Sequence, residues 1–136
     1  MIGCDSMKKF WWQVPAILYT ILIFLLSSIS QSDIPHLRFR LLDKWVHFVE
    51  FAIYAGLLML AFRMSNRVTL SEKAWIWTLG WGTIYAGLDE IHQLYVPGRD
   101  CAFGDYAADI GGILIGLVIY YLIEKRGVFH KIYEIK

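Results

Sequence analysis

Residues 105–123 read DYAADIGGILIGLVIYYLI, an acidic end and a strip of small residues followed by an apolar run. Asp105, Asp109, Gly112 and Gly116 are spaced i, i+4, i+7 and i+11, so they share one face of a helix. The two glycines form a GxxxG pattern, which permits close approach of another helix. The stretch predicts a membrane-spanning helix whose carboxylates and packing strip point into a bundle. The pattern leaves open whether the strip packs within the chain or in a homodimer.

Other apolar segments precede this one. The first, 11–29, is long enough to cross the ~30 Å hydrocarbon core. Lys8 and Lys9 before it also suit a signal peptide, although the apolar stretch is longer than usual for one. The remaining apolar runs, as helices with a rise of 1.5 Å per residue, are too short to cross the hydrocarbon core. Either the adjoining polar turns also enter the membrane, or the bilayer thins locally. These runs are 51–62, 74–88 and 110–123.

These segments predict an all-α integral membrane bundle of four transmembrane helices in a single domain, 1–136. The predicted helices are approximately 10–30, 43–63, 73–95 and 104–124. The hydrophobic fraction of 57% exceeds the roughly 45–50% of soluble domains, and almost no polar face follows the most apolar helices. A soluble bundle is therefore disfavoured. The net charge of +1, with scattered basic residues, argues against nucleic-acid binding. Cys4 and Cys101 lack the spacing of a disulfide framework or zinc site and are expected to be unpaired.

The distribution of Lys and Arg predicts the orientation. Nine of them fall on one side of the predicted spans and four on the other. Positive residues concentrate in cytoplasmic loops, so both termini are expected in the cytoplasm. The cytoplasmic set is Lys8, Lys9, Arg63, Arg67, Lys73, Lys125, Arg126, Lys131 and Lys136, and the outer set is Arg38, Arg40, Lys44 and Arg99. The polar ends of the second, third and fourth spans then all face outward.

Polar residues at those three ends form the candidate site, because ionisable groups in a membrane are costly and usually functional. Asp43, His47 and Glu50 follow i, i+4 and i+7 on the second span. On the third, Asp89, His92 and Gln93 are expected to share a face, whereas Glu90 is about 100° around the helix from Asp89 and need not point the same way. The predicted ligand-binding or active-site residues are Asp43, His47, Asp89, Glu90, Gln93, Arg99, Asp105 and Asp109, with Lys44, Glu50 and His92 as secondary candidates and Gly112 and Gly116 as packing residues.

The charges of this set do not balance. Six carboxylates face four fixed cations, so two negative charges are uncompensated. Protonation, charged histidines, a bound cation or a cationic ligand group could each resolve this. An internally paired network that only joins the helices is a further alternative. No cofactor is assigned; a divalent metal is possible because carboxylate and imidazole are suitable ligands, but no recognised metal motif such as HExxH is present.

The loop between the third and fourth spans contains Val96-Pro97-Gly98-Arg99-Asp100. A Pro-Gly turn and the short return to Asp105 are expected to hold Arg99 over the site. Its guanidinium could pair with the acids or bind a phosphate or carboxylate. Lys44 is interpreted as an interfacial anchor whose amine reaches water.

Three sequence elements together resemble the VanZ-like membrane proteins. They are DKWVHF at 43–48, DEIHQLYVPGR at 89–99 and DYAADIGG at 105–112, in family order and on different spans. The similarity runs from about 30 to 123. The combination is far more specific than any single element.

The resemblance implies a small multi-pass protein of the bacterial plasma membrane. The namesake of the family is associated with low-level resistance to the glycopeptide teicoplanin, which implies an envelope role without naming a reaction. Asp109 departs from the pattern, since many members carry Asn there. Glu50 and His92 have no firm counterpart in it.

Four functions remain open. The first is binding of a lipid-linked envelope component or a lipid-tailed antibiotic at the outer leaflet, with membrane lipids as the surrounding partners. The second is an integral membrane enzyme for a lipid-linked or phosphate-bearing substrate, in which His47 or a carboxylate is the base and Arg99 stabilises negative charge. A proton or ion pathway is disfavoured because the cytoplasmic halves of the spans are almost without polar residues. The last is a role as a structural or assembly partner.

Overall fold

The computed structural model describes residues 10–30, 40–99 and 101–129, with Arg40 and Leu41 described by backbone alone. These residues form five helices and no strand, which confirms the all-α class. The helices are α1 (Val14–Ser27), α2 (Arg40–Arg63), α3 (Val68–Glu72), α4 (Ala74–Gln93) and α5 (Phe103–Lys125). Helix α3 is a short addition in the loop between the second and third predicted spans. Outside the described residues lie Cys4, Lys8, Lys9, Arg38, Lys131 and Lys136.

Local sequence explains where several helices begin and end. Pro15 lies in the first turn of α1, where its missing N–H would have no partner within the helix. Gly127 follows α5 with φ of 74°, a left-handed conformation that stops a helix and favours glycine. Gly98 has φ of 80° in the turn after α4. This turn sends the chain back toward α5.

The closest helix pair is α2 with α5. A Cβ built on Gly112 would collide with the carbonyl oxygen of Phe48, and one on Gly116 with that of Ala52. Only glycine at both positions lets the two backbones approach this closely. The small-residue strip of α5 therefore packs against α2 of the same chain.

The apolar core lies between α2 and the helices around it. Ile23, Phe51, Tyr54 and Ile113 are completely buried there. The Thr20 hydroxyl donates to the Tyr54 hydroxyl at 2.9 Å, which joins α1 to α2. A smaller apolar cluster lies toward the C-terminal ends of α2 and α5 and the start of α4. It consists of Met59, Ala74 and Tyr120.

Side-chain contacts define the direction of each helix. Ser28, just after α1, contacts His92 near the C-terminal end of α4. His47, in the N-terminal part of α2, contacts Asp109 in the N-terminal part of α5. These four helix ends lie at the same end of the bundle. At the opposite end Arg63 pairs with Glu124 at 3.1 Å. Successive long helices therefore run in alternating directions. We call the first end the polar end.

The outer surface of the bundle is strongly apolar. Within the described ranges, two helices have the length and composition of a membrane span, Leu42–Arg63 and Phe103–Lys125. Only 28% of the most apolar window of α5 is buried inside the structure, so most of it needs other apolar cover. Helix α1 is also apolar but has 14 residues.

Candidate functional site

The polar end brings together side chains from three helices. His47 comes from α2, Asp89, Glu90 and Gln93 from α4, and Asp105 and Asp109 from α5, and all six are at least nine-tenths buried. Such burial of so many ionisable groups is unusual, because each must find a partner or remain costly. The sequence-predicted residues on these three helices therefore do lie at one end of the bundle.

His47 and Asp109 form the innermost contact. His47 Nδ1 lies 3.0 Å from Asp109 Oδ1, and the two residues are 3% and 0% exposed. When Asp109 is ionised its oxygens can only accept, and the imidazole then donates through Nδ1. The pair connects α2 to α5 one turn above the glycine contact at Gly112.

Glu90 lies on a different side of α4 from Asp89, but it is buried at the same end of the bundle. It is 4% exposed, and its Oε2 accepts a hydrogen bond from the backbone N–H of Ala102 at 3.0 Å. The spacing left its direction open, and the segment leading into α5 covers this side of α4. The contact joins the end of α4 to the start of α5.

Asp89 and Gln93 form a second buried pair on α4. Gln93 Nε2 donates to Asp89 Oδ2 at 2.9 Å across one helical turn. Both side chains are almost fully buried, so the bond satisfies groups that water cannot reach.

Lys44 and Asp105 lie at the outer rim of the site. Lys44 Nζ donates to Asp105 Oδ1 at 2.6 Å, with side-chain exposures of 39% and 9%. Lys44, interpreted as an interfacial anchor and a secondary site candidate, therefore keeps a partly exposed side chain while its amine is held by a site carboxylate. Asp43 is half-buried on the same side of α2, near His47 and Asp105.

His92 and Arg99 point toward α1. His92 Nε2 lies 2.9 Å from the Ser28 hydroxyl oxygen, and its ring packs on Phe24 with centroids 4.5 Å apart. Arg99 Nε donates to the Ile29 carbonyl at 3.2 Å, with a longer contact of 3.4 Å from Nη2 to the Leu26 carbonyl. The expected shared face of His92 with Asp89 and Gln93 is thus not observed. Arg99 binds the C-terminal carbonyls of α1, where a cation is also favoured by the helix dipole.

Glu50, a secondary candidate, lies deeper along α2. Its Oε1 atom is buried and has no hydrogen-bond partner among the described residues. Arg99 and Asp89 are close enough to act on it electrostatically. Glu50 therefore extends the acidic cluster toward the middle of the bundle.

Some contacts of the site had no signal in the sequence. The backbone N–H of Ala102 is a donor that every residue except proline carries, so nothing distinguished it beforehand. Ser28 looked like one of several hydroxyls at the end of an apolar run. The hydroxyl of Ser30 donates to the Pro97 carbonyl at 2.7 Å, which also joins α1 to the loop after α4.

Two overlapping groups of side chains lie close enough together to hold a metal ion. In each, one possible ligand atom per residue lies within 4.8 Å of the others. The groups are Asp43, His47 and Asp105, and His47, Glu90 and Asp109. In the second group, Glu90 Oε1 and Asp109 Oδ2 are buried and have no hydrogen-bond partner among the described residues. These two oxygens can take up a proton, accept a hydrogen bond from a donor or coordinate a cation.

Comparison with models of known protein families gives a match over most of the chain. A protein-family model described as VanZ/LLP1 matches residues 6–124, which covers the described helices almost completely. No curated protein and no solved structure matches the chain.

Proposed function

The chain belongs to the VanZ-like family, and on that premise we propose that it is a four-span plasma-membrane protein whose polar end binds a lipid-linked envelope component. Helices α1 and α4 are the two further spans of this proposal. Their outward residues include Leu18, Trp81 and Ile84, each more than half exposed, as expected of a surface in contact with lipid.

The proposed orientation follows from charge. More Lys and Arg residues fall at the end of the bundle opposite the site, and this end is assigned to the cytoplasm. The polar end then lies at the outer leaflet, where envelope precursors and lipid-tailed antibiotics are present. Both termini are cytoplasmic in this arrangement.

One observation carries the proposal. A buried acid and histidine cluster lies at one end of a bundle whose outer surface is apolar, and within the described part of the chain it has oxygens without hydrogen-bond partners on Glu50, Glu90 and Asp109. Buried polar atoms without partners are costly, and an incoming headgroup or cation can satisfy them. An acyl or isoprenoid tail can meanwhile lie against the apolar sides of the helices. The site therefore suits an amphiphile, such as a lipid-linked envelope precursor or a lipoglycopeptide of the teicoplanin type.

Photo-crosslinking tests this proposal. The purified chain is reconstituted in nanodiscs and exposed to a diazirine-bearing lipid-linked saccharide, whose hydroxyl groups can donate to the acids, or to a diazirine-bearing lipoglycopeptide. We expect labelled peptides from the polar ends of α2, α4 and α5. Asp89→Asn and Glu90→Gln should each reduce labelling by about 10-fold, since a hydrogen bond to a charged group contributes ~1.5–3 kcal/mol.

Glu72→Gln is the matched control, because Glu72 is exposed on α3 at the opposite end. Equal labelling of the control, Asp89→Asn and Glu90→Gln proteins would contradict the proposal. Labelling spread evenly along the apolar faces would indicate ordinary contact with bulk lipid.

The His47–Asp109 contact favours a second candidate function, an enzyme acting on a lipid-linked or phosphate-bearing substrate. A buried histidine oriented by a carboxylate at 3.0 Å is a suitable general base. Incubation with radiolabelled isoprenoid phosphates and related lipids would reveal turnover, and His47→Gln should abolish it. Crosslinking without turnover would leave the binding function alone.

A further inference from the structure

His47, Glu90 and Asp109 converge from three different helices. One side-chain ligand atom of each lies within 4.8 Å of the other two. Their exposures are 3%, 4% and 0%, so bulk water does not solvate them. Three helices thus deliver one imidazole nitrogen and two carboxylates into one dry volume.

The two carboxylates are incompletely satisfied. Glu90 Oε2 accepts from Ala102 and Asp109 Oδ1 from His47, but Glu90 Oε1 and Asp109 Oδ2 have no hydrogen-bond partner among the described residues. Oxygens that are both buried and unpartnered need an explanation such as a bound ion.

The cations of the described residues near the polar end are used elsewhere. Lys44 is paired with Asp105 at the rim, and Arg99 is bonded to the carbonyls at the end of α1. Neither amine nor guanidinium hydrogen-bonds to Glu90 or Asp109 within the described chain. Among the described residues, therefore, no Lys or Arg side chain compensates these two oxygens directly, and a bound cation can do so.

We propose that His47, Glu90 and Asp109 bind one divalent metal ion of borderline hardness, such as Zn²⁺ or Mn²⁺. A ligating nitrogen carries no proton, so an ion at His47 Nδ1 would replace the hydrogen bond to Asp109, whereas an ion at Nε2 would leave it in place. One imidazole nitrogen with two carboxylate oxygens is a ligand set that both ions accept. Three protein ligands leave at least one coordination position open, as in sites that bind a substrate or water. The group of Asp43, His47 and Asp105 is a weaker choice because Lys44 already holds Asp105.

The metal also defines the chemical class of the ligand. An acidic cluster alone repels a phosphate, whereas a divalent ion at its centre attracts one. The open position therefore suits a phosphate or pyrophosphate oxygen of a lipid-linked envelope component. This assignment of the ligand rests on the proposed function, but binding of the metal itself does not.

Metal binding by the purified full-length chain tests the inference. After treatment with EDTA and its removal, the protein in detergent is titrated with Zn²⁺ or Mn²⁺ by calorimetry, and bound metal is counted by mass spectrometry. We expect one ion per chain. His47→Gln and Glu90→Gln should each weaken affinity by about 10- to 100-fold or more, since even outer partners of metal ligands have effects of this size.

A matched control separates the site from general effects of the substitutions. Glu72→Gln removes an exposed acid at the end of the bundle opposite the site. This variant should bind metal as the parent chain does. Asp109→Asn keeps the shape and one ligand oxygen, so its affinity should fall less than that of Asp109→Ala. Circular dichroism and gel filtration identify any variant that fails to fold.

The outcomes are distinguishable. A folded parent chain that binds neither ion, or site variants that bind as tightly as the control, would overturn the metal inference. If the chain takes up no metal but the lipid probe still labels it in the presence of EDTA, the proposed binding function is supported and the metal is not. Stoichiometric metal uptake without any lipid labelling would support the metal and reject the proposed ligand.

Discussion

His47 is the residue on which the contacts of the polar end converge. It is 3% exposed, bonds Asp109 at 3.0 Å and belongs to both groups of possible metal ligands. Its position one turn after Asp43 places the imidazole at the level where α5 crosses α2. A single histidine therefore connects the rim of the site to its buried centre.

The ion pair of Lys44 and Asp105 provides a test at the level of single residues. We predict that Lys44→Met and Asp105→Asn are coupled by about 1–2 kcal/mol in a double-mutant cycle of unfolding. This value lies between the ~0–1 kcal/mol of exposed pairs and the larger losses in buried ones, since the side chains are 39% and 9% exposed. Thermal or SDS-induced unfolding in detergent micelles provides the free energies.

Arg63 and Glu124 provide the comparison pair at the other end of the bundle. Their side chains are 37% and 21% exposed, so the coupling in the same cycle should be smaller. Equal coupling for the two pairs would show that burial of Asp105 adds nothing to the rim contact.

At the scale of elements, the structure depends most on the contact of α2 with α5. The glycines of α5 bring its backbone against Phe48 and Ala52, and this close approach positions Asp109 beside His47. The site and the packing strip lie on one face of α5 for this reason. A loss of the helix contact should therefore disrupt the site as well.

Glycine substitutions test the contact. Gly112→Ala should destabilise the fold by about 2 kcal/mol or more, because the new Cβ meets the backbone of α2 and forces the helices apart. Gly80→Ala in α4 is the control, since a Cβ there meets no atom within 4 Å. Its effect should be neutral or stabilising by up to about 1 kcal/mol. Unfolding measurements that rank the two variants in the opposite order would contradict the observed packing.

Helix α1 is attached to the polar end by a small set of polar contacts. Arg99→Gln removes donors to the Ile29 and Leu26 carbonyls, so hydrogen exchange of the last turn of α1 should increase. Mass spectrometry of exchanged peptides gives the measurement. Hydrogen exchange of the backbone amides where α2 packs against α5 should remain unchanged. Faster exchange throughout the bundle would instead indicate that Arg99 supports the whole site.

At the scale of the whole molecule, apolar side chains dominate the outer surface, and the buried acidic and histidine side chains of the described residues lie at the polar end. This distribution suits a bundle in lipid, where polar groups must be satisfied within the protein. Four spans and cytoplasmic termini remain predictions that the proposed function requires.

Cysteine labelling tests the orientation. Cys101 is exposed in the segment between α4 and α5, and Cys4→Ser leaves it as the single cysteine of the chain. We predict that a membrane-impermeant maleimide labels Cys101 in intact cells. In a variant without either native cysteine, Thr69→Cys on α3 should be labelled only after permeabilisation, because Thr69 is exposed at the opposite end. The reverse pattern would invert the proposed topology.

Sequence patterns within single helices were sufficient to predict much of the fold. Apolar runs with helical spacing predicted the all-α class, and the three motifs predicted the family, which the family match confirms. The spacing of Asp105, Asp109, Gly112 and Gly116 predicted a shared face because helical periodicity depends only on positions along one chain segment. These conclusions require no knowledge of neighbouring helices.

Tertiary structure decided which neighbour each polar residue meets. Glu90 and His92 are two residues apart, or about 200° around α4, so they cannot face the same helix. Glu90 faces the segment entering α5, where it meets Ala102, and His92 faces α1, where it meets Ser28. Periodicity shows that the two side chains diverge, but the placement of α1 and α5 on opposite sides of α4 determines that Glu90 joins the buried acids. The physical reason is that long-range helix packing, and the backbone donors it brings, leave no local pattern in the sequence.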